Sequence, residues 1–424
     1  MNVNNPHDPL PPITEKQLAH LWQRRAARSR ALRTERGNRI RVLYPGRPGV
    51  TAGPDFRNAL LLVEDQGLVQ GDVEVHLRQH DWRSHGHHED PNYNGVALHV
   101  ALETTGSRSD TASGGKPPLV GLRGLLDDPP ADETSGEVRD HLWRLLEGHG
   151  YRRPNSAERM AALLNRAGDE RFLARSLVLQ QLMSEQPAAQ TLWESICEAL
   201  GYRHNRHAFL QLALAAPIDS LEHLARRSRE KNRIAVLTAA LLGLAGFSAR
   251  TGPASVHSAH GQMGPPLDAS QWKLFRVRPS NHPRRRVAGA AGLLDRFAAE
   301  GLLAGLRNVA AQGNPSALTR ALSVSSGLEH EAALIGSGRA RDIAVNAALP
   351  FLHGLASLTG EAGKSSAMLE LYRRYGSLPE NEITRELASA LQPAEWGRVA
   401  RTARQQQGLI HLQRLLAGAA NPRR

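Results

Sequence analysis

The sequence predicts an α+β protein: a small N-terminal α/β domain, a helix with a mostly antiparallel or mixed sheet, followed by a larger all-α region. Three observations predict it. Before residue 103, short segments alternate apolar and polar residues at strand spacing. From Glu137 onward, apolar residues recur at helical spacing, as around Leu173, Leu177 and Leu182. The chain has 424 residues with 41% apolar but only 4% aromatic content, so Leu, Ala and Val fill more than one core and favour helix.

In chain order, Thr14-Glu15-Lys16-Gln17 has the form of a capping box. It opens an expected helix from about Glu15 to Arg33, with Leu18, Leu21 and Trp22 on one face and Gly37-Asn38 as its stop. Arg39 to Tyr44 alternates as a strand, and Pro45 to Gly49 reads as a turn-rich loop. Ala59 to Val63, Val69 to Leu77 and Val96 to Leu102 are the next strands, the first two joined by a turn at Asp65-Gln66-Gly67. Thr104 to Pro118, rich in Gly, Ser and Thr, reads as a linker. The expected division is a disordered leader over 1–12, an α/β domain carrying the candidate metal site over 13–125, and a helical region over 137–424 interrupted flexibly near 251–268.

Composition narrows the function classes. The net charge of +12, supplied mostly by Arg, suits a polyanionic partner such as DNA or RNA. A single cysteine, Cys197, lies in an apolar helical pattern, which excludes a disulfide framework within the chain and suits the reducing cytoplasm. Residues 1–12 lack the basic and apolar regions of a signal peptide. The longest apolar run, Ile234 to Phe247, is too short and interrupted for a membrane span. Nucleophilic-serine motifs and phosphate-binding glycine loops are not found. The pattern leaves the oligomeric state open.

The segment from Pro54 to His99 carries the candidate chemistry. On the strand Gly71 to Leu77, Asp72, Glu74 and His76 share one face, while Val73, Val75 and Leu77 share the other. Ionisable groups crowded on one face need solvent, a partner or a metal. On Val96 to Leu102, His99 sits between Ala97 and Ala101, which leaves room beside it. Six of the 19 histidines fall between His76 and His99. Within that stretch, His85 and His87 could supply two imidazoles to one ion, with zinc as one choice. Farther on, Arg276 to Arg286 is the densest basic segment; its prolines predict an extended loop before a helix at Val287 to Phe297, with Arg276, Arg278, Arg284, Arg285 and Arg286 available to phosphates.

Two resemblances follow from these residues. Ala52 to Phe56, Gly71 to His76, Asp81-Trp82 with His85 and His87, Asp90 with Tyr93, and Leu98 to Val100 resemble the bacterial family catalogued as domain of unknown function 2851. So do Gly201-Tyr202 with Asn205, and Arg276 to Asn281 with Pro283 and Arg286. That resemblance implies no particular activity. The first 100 or so residues are also similar in outline to the PD-(D/E)xK nuclease superfamily, which places Pro-Asp before one strand and an acidic-x-Lys on the next. Here Pro54-Asp55 and Glu74-Val75-His76 match, with His76 standing where the superfamily has Lys, and Glu15 matches an acidic residue on the first helix.

The second resemblance implies Mg²⁺ or Mn²⁺ held by Asp55 and Glu74, with His76 as general base or water-orienting group. His85, His87 and His99 would line the site, and Arg57 would contact phosphate. The expected function is therefore a metal-dependent nuclease or phosphodiesterase acting on nucleic acid. The alternative is a non-enzymatic nucleic-acid-associated or scaffold protein with a degenerate nuclease-like domain. A zinc hydrolase centred on His85, His87 and His99 is the third reading.

Overall fold

The computed structural model describes residues 13–26, 32–49, 53–64, 66–104, 109–122, 134–202, 205–247, 263–274, 277, 279–328 and 331–418. The expected leader over 1–12, most of the interruption near 251–268, and Arg276 and Arg278 lie outside the described residues. The protein is α+β, with a seven-stranded sheet followed by a larger helical region. It divides into two compact units: one of Met1–Leu163, Glu380–Val399 and Leu409–Arg424, the other of Leu164–Pro379 and Ala400–Gly408.

In the first unit, helix α1 spans Glu15–Arg25. Its capping box forms: the Gln17 amide donates to Thr14 Oγ1 at 3.3 Å, and the Thr14 amide donates to Gln17 Oε1 at 2.8 Å. The helix is shorter than its apolar pattern predicts. Leu32–Arg33 is not its last turn but strand β1, paired antiparallel with strand β2 (Arg39–Tyr44). Gly37 supplies the positive φ of 84° that this hairpin needs, so the residue expected to stop a helix instead turns a strand.

Strand β3 is the short pair Arg47–Pro48; β4 spans Phe56–Val63, β5 Gly67–Arg78, β6 Val96–Glu103 and β7 Leu119–Gly121. The sheet order is β1-β2-β4-β5-β6-β7, with β3 beside the start of β4. Pairing is antiparallel up to β5 and parallel from β5 to β6 and β6 to β7. A single antiparallel backbone bridge between Thr34, just after β1, and Val120 of β7 joins the two ends of this strand order. Leu18 and Trp22 of α1, with Ala26 just after it, pack on Val73, Val75, Leu98 and Val100 of the sheet. This fixes β5 in register, and alternation then sends Glu74 and His76 to the opposite face. Helix α3 (Thr134–Glu147) belongs to the same unit, and Trp143 Nε1 donates to the Leu391 carbonyl at 2.8 Å.

The second unit is helical around one large core containing the buried thiol of Cys197. Trp272 is a core residue there, its Nε1 donating to the Ala245 carbonyl at 2.8 Å. The helix after the arginine segment begins earlier than the sequence predicts, at Pro283 rather than Val287, and runs to Arg296. Proline at the first helical position lacks an N–H that would have no partner there anyway, so it starts the helix instead of holding the chain extended. Among the described residues, no helix is long and apolar enough to cross a membrane.

Candidate metal centre

The site is built on one face of β5 and β6 and roofed by the connection between them. Parallel register places Glu74 beside His99 and His76 beside Ala101. The connection starts with a single helical turn, α2 (Asp81–Ser84). It ends in a Schellman motif: the Gly86 amide donates to the Arg83 carbonyl at 3.0 Å and the His87 amide to the Trp82 carbonyl at 3.1 Å, with Gly86 at φ 75°. The left-handed glycine folds the chain back so that His85 and His87 meet the face of β5. Trp82 and Tyr93 then wall the site. The Trp82 ring lies 5.1 Å from that of His99, and Tyr93 stacks on His87 at 3.8 Å. Trp82 Nε1 is anchored on the Asp110 carbonyl at 2.8 Å.

Asp55 stands just before β4. Its amide donates to Glu74 Oε2 at 2.9 Å, and its own Oδ2 accepts from the Val75 amide at 3.0 Å. With Oε2 so engaged, Glu74 Oε1 faces His87 Nε2 at 3.2 Å and His76 Nε2 at 3.6 Å. Both imidazole nitrogens are buried, and neither has a hydrogen-bond partner among the described residues. One ring nitrogen from each of His76, His85 and His87 lies within 4.8 Å of the others, with His85 on the exposed side. His76 Nδ1 shares a 2.9 Å hydrogen bond with His99 Nε2, and His99 Nδ1 one of 2.5 Å with Ser109 Oγ. The room expected beside His99 is therefore filled, and His99 is fully buried.

The electrostatics follow from burial. Loss of solvent and the neighbouring Glu74 push the Asp55 carboxyl up to about 7. Burial, with Glu15 nearby, pushes Glu74 up to about 8. Burial and the surrounding imidazoles hold His76 down to about 2, burial and His87 hold His99 down to about 3, and burial lowers His87. Burial thus favours the neutral forms of both carboxyls and of His76, His87 and His99.

The structure brings together Asp55, Glu74, His76, His85, His87 and His99, with Glu15 of α1 close enough to act on both carboxyls. Asp72 shares the face but is occupied elsewhere: its Oδ1 accepts the Asn58 amide at 3.0 Å, where β4 bulges and Asn58 has φ 60°. The Arg57 guanidinium lies against Gly53, where an added Cβ would meet its Nη2 at 2.5 Å. In the second unit, Arg284 lies over the Phe247 ring, and Arg285 pairs with Glu331 at 3.1 Å. Arg286 is buried, donating to the Leu334 carbonyl, Tyr202 Oη and Asn281 Oδ1 at 2.5, 2.8 and 2.8 Å. The structure thus spends Arg285 and Arg286 on internal acceptors. The sequence reading gave no role to Ser109, Trp82 or Tyr93; Ser109 falls in the stretch read as a linker, where no local pattern marks it.

Comparison with known proteins is consistent with the dispersed residues noted above. Residues 15–381 match the family model described as "Protein of unknown function (DUF2851)". The chain belongs to this family. No curated protein and no solved structure matched it. Of the residues quoted above for the likeness to DUF2851, several described ones lie in two clusters. Asp55, Glu74, His76, His85 and His87 lie at the candidate site, while Tyr202 and Asn281 hold Arg286.

Proposed function

We propose that the protein is a divalent-metal-dependent hydrolase, a nuclease or phosphodiesterase acting on nucleic acid. The observation that carries the reading is the convergence of two buried, unpartnered imidazole nitrogens, His76 Nε2 and His87 Nε2, on Glu74 Oε1 at 3.6 and 3.2 Å. Ligands about 2.1 Å from one ion at the tetrahedral angle stand roughly 3.4 Å apart. Two imidazoles and one carboxylate form a set that catalytic sites use with an open fourth position. Imidazole donors favour Zn²⁺ or another transition ion such as Mn²⁺ over Mg²⁺.

Bound there, the metal would polarise a phosphoryl oxygen and acidify water. His85, the exposed member of the cluster, is placed to move a proton at the open side. Asp55 fixes Glu74 through the main chain, leaving Oε1 for the ion. Trp82 and Tyr93 keep bulk water from the inner donors. The phosphodiester substrate is supported by Pro54-Asp55 preceding β4, by Glu74-x-His76 on its antiparallel neighbour, and by the net charge of +12.

The test is titration of metal-stripped protein with Zn²⁺, Mn²⁺ and Mg²⁺, followed by cleavage assays on single- and double-stranded DNA and RNA. One equivalent of a transition ion should bind, and cleavage should be abolished by chelator and by folded Glu74→Gln and His87→Ala variants. A wild-type protein that binds none of these ions, even with oligonucleotide present, would sink the reading. A second reading has its own observation: Glu74, His76 and His87 are at most 8% exposed, and His85 could close a four-ligand shell, as in structural metal sites. It differs from the non-enzymatic alternative of the sequence, which has no metal site, and predicts a bound ion without cleavage.

A further inference from the structure

Behind the three inner donors lies a second layer that the proposed function leaves unassigned. His76 uses Nδ1 toward His99, and His99 uses its other nitrogen toward Ser109. The chain Ser109–His99–His76 is buried throughout, each residue at most 5% exposed. Two arrangements of its protons are self-consistent. In one, His76 Nδ1–H donates to His99 Nε2, and His99 Nδ1–H donates to Ser109 Oγ. In the other, every bond reverses, and His76 carries its proton on Nε2.

The surroundings separate the two. In the reversed arrangement the His76 Nε2–H is buried, with Glu74 Oε1 at 3.6 Å, beyond hydrogen-bond reach, and no other acceptor among the described residues. Orphaned buried donors are the rarer and costlier defect. In the forward arrangement the same atom presents a lone pair, which a cation satisfies. The forward arrangement also needs an outlet for the Ser109 hydroxyl proton. Ser109 lines a polar cavity of about 60 Å³ with Thr34, Asn38, Asp110 and Lys116, large enough for water to accept that proton.

We infer that His99 and Ser109 are positioning residues that hold His76 with its proton on Nδ1, so that Nε2 is permanently available as a metal ligand. The inference rests on the metal reading above. Metal-bound histidines ordinarily donate their second nitrogen to a carboxylate, carbonyl or water; here a second imidazole does the work, and a hydroxyl backs it. Both groups are neutral acceptors, so they orient the ring without adding negative charge to a site that already holds Asp55, Glu74 and Glu15.

The experiment has two parts. Nitrogen-15 NMR of histidine-labelled, metal-free wild-type protein, with His76 assigned by His76→Gln, reads which ring nitrogen bears the proton. Competition titration with a chromophoric chelator reads Zn²⁺ affinity in Ser109→Ala, Ser109→Thr, His99→Gln and His99→Leu. The expected result is an Nδ1-protonated His76 in the wild type. Affinity should fall about ten- to a hundred-fold in Ser109→Ala and His99→Leu. Ser109→Thr, which keeps the hydroxyl, and His99→Gln, whose carbonyl can still accept from His76, should recover much of the loss. An Nε2-protonated His76, or equal affinities across the four variants and wild type, overturns the inference. If the wild type takes up no metal, the proposed function falls, whereas the NMR result still decides the proton position by itself.

Discussion

Asp55 and Glu74 are joined by reciprocal main-chain bonds: the Asp55 amide donates to Glu74 Oε2 at 2.9 Å, and Asp55 Oδ2 accepts from the Val75 amide at 3.0 Å. Two carboxyls 19 residues apart in sequence are thereby held in one buried place. Neither is paired with a Lys or Arg in the described structure, and both have pKa values raised by burial.

This arrangement fixes a pH dependence. A carboxyl whose folded pKa lies above its unfolded value lends stability that is full at acid pH and lost as pH rises through the folded value. Buried histidines with lowered pKa act oppositely, but their effect is complete once pH exceeds the ordinary 6.5. Between pH 6.5 and about 8 the carboxyls act unopposed. The melting temperature of chelator-treated protein should therefore fall across that interval, and saturating Zn²⁺ should flatten the fall by stabilising the ionised carboxylates. Glu74→Gln should reduce the fall without metal, leaving the part due to Asp55. Circular dichroism melts at the two pH values decide; a metal-free melting temperature that rises instead refutes the assignment.

Asp72 separates position on the face from membership of the site. Its carboxylate accepts the amide of Asn58, whose left-handed backbone makes the β4 bulge. Asp72→Ala should cost about 1–2 kcal/mol of stability by leaving that amide without its acceptor. Metal affinity in the folded variant should stay within about threefold of wild type, whereas His87→Ala should lose more than the roughly ten- to hundred-fold of an outer-layer change. Parallel denaturation and metal titrations measure both.

Alternation alone made the acidic face of β5 legible, because a strand buried on one side by Val73 and Val75 must send Glu74 and His76 to the other. The pairing of His99 with that face was legible only in part: the strand was plain, but its parallel register with β5 depends on a crossover that sequence periodicity does not encode. Leu32 and Arg33 carry a helical signal because the apolar spacing of α1 runs on past its last turn, and only pairing with Arg39 and Ile40 reveals a strand. Ser109 gave no signal, since a hydroxyl in a polar stretch looks the same whether it faces solvent or a buried imidazole. The return of 380–399 and of the described residues 409–418 to the first unit is a long-range contact that local patterns do not carry.

The arginine segment yields a different expectation from the phosphate-binding one its sequence suggests. Arg286 is buried, with its guanidinium on three internal acceptors and near the Tyr202 ring at 5.2 Å. Arg286→Ala leaves a carbonyl, an amide oxygen and a phenol without their donor. It should destabilise the protein by about 3 kcal/mol or more. Salt-dependent binding of an oligonucleotide, measured below the variant's melting temperature, should keep the wild-type slope, because a buried guanidinium releases no counterion from a phosphate. A slope reduced by about one unit would restore Arg286 as a phosphate contact.

Gly86 links backbone conformation to the proposed metal site. It ends α2 in the left-handed region at φ 75°, and the turn it makes is what returns His87 to Glu74. No atom lies within 4 Å of where a Cβ would sit, so Gly86→Ala meets no steric obstacle and its cost is conformational alone. That cost is about 1 kcal/mol. The loop can relieve it by abandoning the Schellman bonds, which moves His85 and His87 away from the face of β5 while leaving the sheet intact. Gly86→Ala should therefore lower Zn²⁺ affinity by up to about five-fold, the equivalent of that cost, while the sheet's stability changes less, and Gly86→Asn, which tolerates the left-handed region better, should fall between alanine and wild type on both measures. Equal affinities for the alanine and wild-type proteins would show that the loop's histidines do not hold the ion.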